Sequence, residues 1–499
     1  MSGDLHTTVA VTERTPLVTK SGDVSKEDQL SPFLLEEVTS LVHLAAPIIF
    51  TLVMEFIPNI TNIILVGHLP VSDVKSLVDA AAIATVFAQI TALPVGFGMA
   101  TALDTLCTQA YGAGHVKKFG ILLQSALLGM ALTLIPVVIV NWFTADILVL
   151  LGQDPSLAAL AGRYIRVRML SFPALFCFEV LKKFLQAEGV TSPTALMVTL
   201  GNIIHVTFGL VLTQCTPLGI VGAPAALCLA EYCLLACMLV YLCWVNPMYK
   251  VWDIQWSWAA AWSHVGQFFH FGVPGMLMMM IEWGAIEILA LVAGVMPKSL
   301  VTIAVNSVLA YTAVLGFLPY LGLSIAATIR IGNLLGANQP VKAHRVFVLT
   351  LRLCFGCAFA TAAAILLLSP WIPSLVLEDP AVVACVRPLN LALLTRSCRR
   401  TATALIFIVP LHVVDAMNTA CQGCFRAMGK QAIASAVTAA GFYAIGIPLA
   451  VYCGLYLEWS VEGLWAGYTL GSLSTFAIYQ ILLSQIDWKQ VVTEAMNRE

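Results

Sequence analysis

The sequence predicts an all-α polytopic membrane protein with twelve transmembrane helices in two six-helix bundles. Three observations support this fold class: the composition, a series of long apolar segments, and an internal repeat. Of the 499 residues, 60% are hydrophobic and only 10% are charged, and the mean hydropathy is +0.90. Soluble domains are about half apolar and about one quarter charged. The chain therefore lies well outside the soluble range.

Apolar segments long enough to cross a bilayer as helices follow one another along almost the entire chain. They must be helical, because the bilayer core offers the backbone no outside hydrogen-bond partner and the alternating polarity of barrel strands is absent from the sequence. The predicted spans lie near residues 40–66, 80–104, 119–143, 165–186, 194–214, 221–245, 266–295, 302–325, 346–370, 403–424, 432–455 and 462–485.

The two halves of the chain share a pattern of spaced residues. Identical spacing relates Pro47, Glu55 and Gly67 to Pro274, Glu282 and Gly294. Residues 98–114 likewise align with residues 322–338. An even number of helices in each half makes these parallel repeats, related by a pseudo-two-fold axis along the membrane normal. A substrate is then expected between the two bundles.

The repeat and the composition also predict domain boundaries. We expect a disordered cytosolic tail at 1–39, an N-terminal bundle at 40–245, a cytosolic linker at 246–265, a C-terminal bundle at 266–485 and a cytosolic tail at 486–499. The first tail lacks the apolar core of a cleavable signal peptide, so the first span is expected to direct insertion. The Lys and Arg residues of the loops favour cytosolic termini when the arginines at 163–168 and 387–400 are set aside.

Surplus residues interrupt the second repeat around 387–406. This stretch carries Arg387, Arg396, Arg399 and Arg400. Each arginine is costly at membrane depth. We therefore interpret the stretch as an insertion that lies in a loop or at the lipid headgroups, and expect it to be the least ordered membrane-adjacent region.

Five segments together resemble the eukaryotic branch of the multidrug and toxic compound extrusion (MATE) family. They are "VGHL" (66–69), "ALDTLCTQAYGAG" (102–114), "EWGAIEILALVAGVMP" (282–297), "LGLSIAATIRIGNLLGA" (321–337) and "GCFRAMGKQ" (423–431). The resemblance implies twelve helices in two bundles, V-shaped around a central cavity. It also implies export driven by a cation gradient through alternating access.

The same resemblance implies which residues form the coupling site. This branch carries a Glu in the seventh helix, often another five residues later, and an acid in the tenth, and these match Glu282, Glu287 and Asp415. Acids inside a membrane protein are expensive and mark ion or substrate paths. Glu282 and Glu287 lie about 140° apart around a helix, so they cannot share one narrow face. The alternative for each acid is a structural carboxylate bound to neighbouring hydroxyl groups.

Two positions in the first bundle depart from the family pattern. Asn62 stands where bacterial members carry an Asp, which argues against an ion site of the bacterial kind. Glu55 stands where the family more often has a neutral residue, and it is either an extra titrating group or a relic of the repeat. Trp283 and Tyr311 are candidates for stacking on a cationic ligand, with packing as their alternative role. Asn62 and Asn306 complete the set of candidate cavity-lining residues.

Other chemistry is not indicated. The net charge of −2 points to no nucleic-acid partner. "GCFRAMGK" (423–430) has one residue too many between its glycines for a phosphate loop. The histidines lack metal-site spacing, and the cysteines, including the CxxC pair Cys421 and Cys424, are interpreted as packing residues. We therefore expect no enzyme, no cofactor and no metal site.

The predicted function is secondary active transport: export of organic cations, other xenobiotics or metabolites in exchange for protons. Na⁺ is the second candidate for the coupling ion. A lipid-linked oligosaccharide flippase of the same architecture is the alternative, although it would need a cationic cavity for a pyrophosphate. A passive channel is a third possibility. The expected partners are a small organic substrate and the lipid bilayer, and the expected state is a monomer.

We expect a multi-pass protein of the plasma membrane or of the vacuolar or lysosomal membrane. The second location follows from "ERTPLV" (13–18), which resembles an acidic dileucine sorting signal.

Overall fold

The computed structural model describes residues 30–71, 73–245, 256–296, 299–368 and 390–498. The sequence "ERTPLV" and Arg387 lie outside these residues. The first half of the chain forms the N-bundle, consisting of α1 (Leu30–Gly67), α2 (Val74–Thr91), α3 (Leu93–Ala100), α4 (Ala102–Gly112), α5 (Val116–Trp142), α6 (Thr144–Leu150), α7 (Pro155–Arg168), α8 (Phe172–Ala187), α9 (Ser192–Gln214) and α10 (Gly222–Val240).

The second half forms the C-bundle. It consists of α11 (Trp258–Gly294), α12 (Ser299–Gly336), α13 (Pro340–Leu368), α14 (Asn390–Met428), α15 (Gln431–Ala439), α16 (Ile447–Val451), α17 (Ser460–Ser484) and the terminal α18 (Trp488–Asn497). Single turns of 3₁₀-helix join α7 to α8 and lead into α10. Segments of π-helix follow α10, α15 and α16.

Joined end to end, the described helices make twelve long passes, six in each bundle. Nine helical spans in the described part of the chain are long and apolar enough to cross a membrane. The predicted all-α membrane fold is confirmed. The second predicted span, near 80–104, is one pass built from α2, α3 and α4, because the helix breaks at Ala92 and again at Thr101.

Two helices cross from one bundle to the other. Near its start, α1 places Leu41 and Ile48 in the apolar core of the C-bundle, and near its end it places Leu65 in the core of the N-bundle. In the second repeat, α11 places Phe268 in the N-bundle core and Leu289 in the C-bundle core. The crossover occurs in both halves, as the repeat requires. Each of these helices also contains proline, which locally weakens helical hydrogen bonding.

The predicted N-terminal tail is too long. Because α1 begins at Leu30, residues 30–39 are helical, and the prediction of disorder up to residue 39 is wrong for them. Glu37 lies in this part of α1, and Arg330 of α12 donates two hydrogen bonds to its buried carboxylate, at 2.9 and 2.6 Å. This pair holds the start of α1 against the C-bundle.

The predicted linker at 246–265 is also too long, because α11 begins at Trp258. Ser257 caps this helix, since its hydroxyl oxygen accepts a hydrogen bond from the Ala260 amide at 3.3 Å. The Ser125 hydroxyl of α5 donates to the Ala261 carbonyl at 2.7 Å. The N-bundle therefore anchors the first turn of α11.

The stretch at 387–406 was expected to be a poorly ordered loop or headgroup segment. The prediction of a loop is wrong for residues 390–406, which form the first part of α14. This helix has 39 residues. At 1.5 Å per residue it is roughly 58 Å long, about twice the thickness of the bilayer core. Residues 407–428 alone are long enough to cross the membrane, so the surplus residues lengthen the helix rather than interrupt it.

The two bundles also meet along what we call the interbundle seam, formed by α4, the end of α12 and the end of α14. A Cβ atom added to Gly112 would lie 2.1 Å from the Asn333 carbonyl oxygen, and one added to Gly336 would lie 2.0 Å from that of Gln109. The Gln109 side chain donates to the Ala427 carbonyl at 2.8 Å. Glycine permits this close approach of helices.

We predict that Gly336→Ala destabilises the protein by about 1–3 kcal/mol, because the new methyl group pushes the seam apart. The measurement is the midpoint of thermal unfolding of the purified protein in detergent. Gly356→Ala is the matched control, since a Cβ atom there meets no atom within 4 Å. Equal midpoints for the two variants would contradict the tight seam.

Candidate functional site

Glu282 of α11 and Asp415 of α14 lie together in the C-bundle, and their carboxyl groups are within electrostatic range of each other. Gln422, two turns after Asp415 on α14, donates a hydrogen bond to Glu282. Both acids are half-buried. The structure therefore brings two of the predicted acids to one site, and α14 contributes to the environment of both.

The surroundings of the acid pair are largely uncharged. Tyr320 of α12 donates a hydrogen bond to Asp415 at 3.3 Å, and its hydroxyl lies 3.2 Å from Nδ1 of His412. Tyr320 and His412 are both fully buried. Among the described residues, neither acid forms an ion pair with a Lys, Arg or His side chain. An ionised carboxylate away from water is costly unless it has a partner, so this pair is a candidate site for a proton or an external cation.

A basic residue lies between the acid pair and the interbundle seam. Arg426 follows Gln422 by one turn of α14 and is within electrostatic range of Glu282. Its Nε lies 3.7 Å from Asp104 of α4, which also accepts a hydrogen bond from Lys183 at 2.8 Å. Arg426 thus interacts both with Glu282 of the acid pair and with Asp104 of the N-bundle.

Glu287 occupies a different environment from Glu282. It is half-buried and lies within electrostatic range of Tyr311 on α12. The ring of Tyr311 meets that of Phe56 on α1 edge-on, with centroids 6.4 Å apart. The angle of about 140° between the two glutamates accounts for their separate neighbours. Glu287 therefore lies near the boundary between the bundles.

Glu55, the repeat counterpart of Glu282, has a resident cation. The Lys182 ammonium group donates hydrogen bonds to Glu55 and Glu179, each at 2.6 Å. The ammonium also lies 6.0 Å from the ring centroid of Phe97. Sequence analysis counted Lys182 among the cytosolic loop lysines, which is wrong, because it is buried within α8. A Glu and a Lys three residues apart on an apolar helix instead indicate an ion pair. The two repeats thus differ in how they neutralise their acids.

The remaining candidates have separate neighbours. Asn62 contacts His205 at 3.1 Å and lines a cavity of about 20 Å³ in the N-bundle. Asn306 is buried and accepts a hydrogen bond from Trp465 at 3.0 Å, as a packing residue does. Trp283 is half-buried beside Glu282. These side chains therefore do not form one set of neighbours around the acid pair.

Sequence analysis overlooked a second CxxC pair, Cys354 and Cys357 on α13. The thiol of Cys354 donates to the Tyr320 carbonyl, and Cys421 accepts a hydrogen bond from Gln480. Within the described ranges, no group of three or more His, Cys, Asp or Glu residues is arranged to hold a metal ion. Cys354 and Cys421 thus contribute to contacts between helices of the C-bundle.

Comparison with known proteins establishes the family. The MatE family model matches residues 47–211 and 274–452, one segment in each half of the chain. The chain belongs to the MatE family. As a MATE protein it is a multi-pass membrane transporter, and the two matched segments follow the internal repeat.

Two relatives are similar to this MATE transporter over nearly its full length. Multidrug and toxin extrusion protein 1 of Xenopus tropicalis is 29% identical over 467 residues, which cover 93% of this chain and 77% of the relative. Multidrug and toxin extrusion protein 2 of Mus musculus is 28% identical over 471 residues, covering 94% and 78%. The resemblance to the eukaryotic branch is thus confirmed.

Solved structures show the same architecture. The eukaryotic MATE transporter AtDTX14 superposes with a TM-score of 0.84 at 25% identity, covering 93% of this chain and 99% of that one. An outward-facing multidrug resistance MATE family transporter gives a TM-score of 0.76 at 18% identity, covering 95% and 100%. The second likeness supports the fold alone.

We predict that Lys182→Met lowers the free energy of unfolding by about 3 kcal/mol, because Glu55 and Glu179 lose their shared cation. Thermal unfolding in detergent measures the change. Lys117→Met, which replaces an exposed lysine on α5, is the matched control. Adding Glu179→Gln to Lys182→Met should restore part of the stability. Equal effects of the two lysine variants would contradict the paired cluster.

Proposed function

We propose that this MATE transporter exports organic cations in exchange for protons, and that Glu282 and Asp415 form the site that both ligands use. One observation carries the proposal: these half-buried acids have no ion-pair partner among the described residues, whereas Glu55 has Lys182. Relatives named multidrug and toxin extrusion proteins support the substrate class.

Exchange follows from competition for one negative charge. A proton neutralises the carboxyl group, and an organic cation needs that group ionised, so binding of one ligand displaces the other. If only singly loaded forms of the protein change conformation, each inward proton is coupled to one outward cation. A proton needs a single carboxylate oxygen, which is why we propose H⁺ rather than Na⁺ as the coupling ion.

The chemistry of the site also favours cations over other cargo. Aromatic side chains that bind organic cations through their ring faces lie on the same elements, including Trp283 beside Glu282 and Tyr311 beside Glu287. The pyrophosphate of a lipid-linked oligosaccharide would be repelled by the acid pair.

We propose that the protein is a monomer and that it lies in the plasma membrane or in the vacuolar or lysosomal membrane.

Alternating access requires the bundles to close on one side of the site and open on the other. The interbundle seam is one closed side, with glycine contacts and direct hydrogen bonds between α4 and α14. The crossing helices α1 and α11 join the bundles, and Pro47 and Pro274 are points at which they can bend. We propose that opening of the seam alternates with closure on the opposite side.

Glu282→Gln is predicted to abolish uptake of a fluorescent organic cation into proteoliposomes with an acidic lumen. The amide is nearly isosteric with the acid but does not titrate. Asp146→Asn, at an exposed acid of α6, is the control and should retain uptake. Replacing external Na⁺ by K⁺ should change neither result. Gradient-driven uptake by Glu282→Gln would refute the assignment.

Competition also predicts a pH-dependent affinity. As the pH falls through the titration of the site, the apparent Kd of the organic cation should rise by up to about tenfold per pH unit, because one proton competes for the site. Equilibrium binding to the detergent-solubilised protein measures the effect. In Glu282→Gln the dependence should flatten. A Kd of the unmodified protein that does not change between pH 5 and 9 would argue against a shared site.

A further inference from the structure

The terminal helix α18 docks on the C-bundle. Val491 and Val492 are buried in the apolar core that α12, α13, α14 and α17 share. Trp488 packs against the side of α13, with its ring centroid 5.1 Å from that of His344 and 6.2 Å from that of Phe347. These contacts fix α18 to the C-bundle, so the two move as one body.

The residue after α18 reaches the N-bundle. Nη1 of Arg498 donates a hydrogen bond to the Gln109 side-chain oxygen of α4 at 3.2 Å. The guanidinium group lies 5.3 Å from the ring centroid of Phe271, a residue of the N-bundle core. The Lys118 ammonium group of α5 donates to the Arg498 backbone carbonyl. Arg498 therefore contacts N-bundle groups on three elements.

The same guanidinium group binds the C-bundle. Its Nη1 donates to the carbonyl of Met428 at 3.1 Å, at the end of α14, where carbonyl groups lack helical partners and the helix dipole is negative. Gly429, in the left-handed conformation with φ of 76°, follows this helix end, and a Cβ atom there would lie 2.6 Å from Nη1. Glycine at this position leaves room for the arginine.

Arg498 thus lies at the end of a row of side chains that bond the last carbonyl groups of α14, two from the N-bundle and one from the residue after α18. Thr105 donates to the Arg426 carbonyl at 2.5 Å, Gln109 donates to the Ala427 carbonyl, and Arg498 donates to that of Met428. Glu494 on α18 lies 3.7 Å from Arg498 and 3.6 Å from Lys430. The Glu494 carboxylate therefore offsets the positive charges of Arg498 and Lys430, and all three residues lie on the C-bundle side of the seam.

We propose that α18 and Arg498 form a strap that holds the interbundle seam closed. Opening the seam separates α4 from α14, and because α18 is fixed to the C-bundle, Arg498 must then leave Gln109, Phe271 and Lys118. The strap stabilises the closed form without contacting the acid pair. Its loss shifts the population towards the form in which the seam is open.

Hydrogen–deuterium exchange of the purified full-length protein, without substrate, tests the strap. Arg498→Ala should raise the exchange rate of amides in 102–112 and 326–336 by about tenfold, because a charge-assisted bond to the closed form is lost. Exchange within α18 should stay as in the unmodified protein, since its buried valines are untouched. Lys489→Ala, at an exposed lysine of the same helix, is the matched control and should leave the seam unchanged.

A double-mutant cycle separates the strap from a general loss of stability. Gln109→Ala should also speed exchange at the seam, and Arg498→Ala added to it should contribute less than it does alone, because the two residues share a bond. Additive effects, unchanged seam exchange in Arg498→Ala, or an increase confined to α18 would each overturn the proposal. None of these readouts depends on transport, so they do not test the exchange mechanism.

Discussion

The structure depends on one constraint: a charge inside the membrane-spanning body needs a partner, a proton or a cation. Several described acids meet it with a resident base. Glu37 pairs with Arg330, Glu231 with Arg168, and Asp104 with Lys183. Glu282, Asp415 and Glu287 are exceptions within the described spans, and the neighbours of the first two are tyrosine, histidine and glutamine side chains. An acid without a base is available to a ligand from outside.

The repeat makes this exception informative. Glu55 and Glu282 hold equivalent positions, yet Lys182 neutralises the first and no lysine or arginine among the described residues pairs with the second. Since the backbones of the two halves share one plan, the difference lies in a few side chains. The N-bundle retains a cluster in which Lys182 neutralises Glu55 and Glu179, and this ion pairing supports rigidity. The other bundle keeps an acid whose charge state can change. In the proposed exchange mechanism, sequence divergence within a symmetric frame gives stability to one bundle and ligand binding to the other.

Much of the fold was predictable, because hydropathy and helix length are strong signals in a membrane chain. The twelve passes and the grouping of Glu282 with Asp415 followed from apolar segments and from family resemblance. The errors in the predicted helix boundaries arose where tertiary contacts extend a helix beyond its apolar segment. The first part of α1 is held on the C-bundle by the contact of Glu37 with Arg330, a partner far along the chain, and α11 starts early because Ser257 caps it beside α5. Lys182 carried a signal in its spacing from Glu179, whereas Gln422 and Tyr320 gave none, since their roles depend on which faces of separate helices meet.

The exchange of α1 and α11 between bundles has a consequence for biogenesis. Leu41 and Ile48 belong to a core whose other members, such as Ile331 and Phe347, emerge from the ribosome nearly three hundred residues later. After α1 is inserted, one of its ends therefore lacks its native neighbours until the eighth and ninth passes are synthesised. Assembly of the first half cannot finish as an independent step, and premature release of the nascent chain leaves that end of α1 exposed to lipid or chaperone.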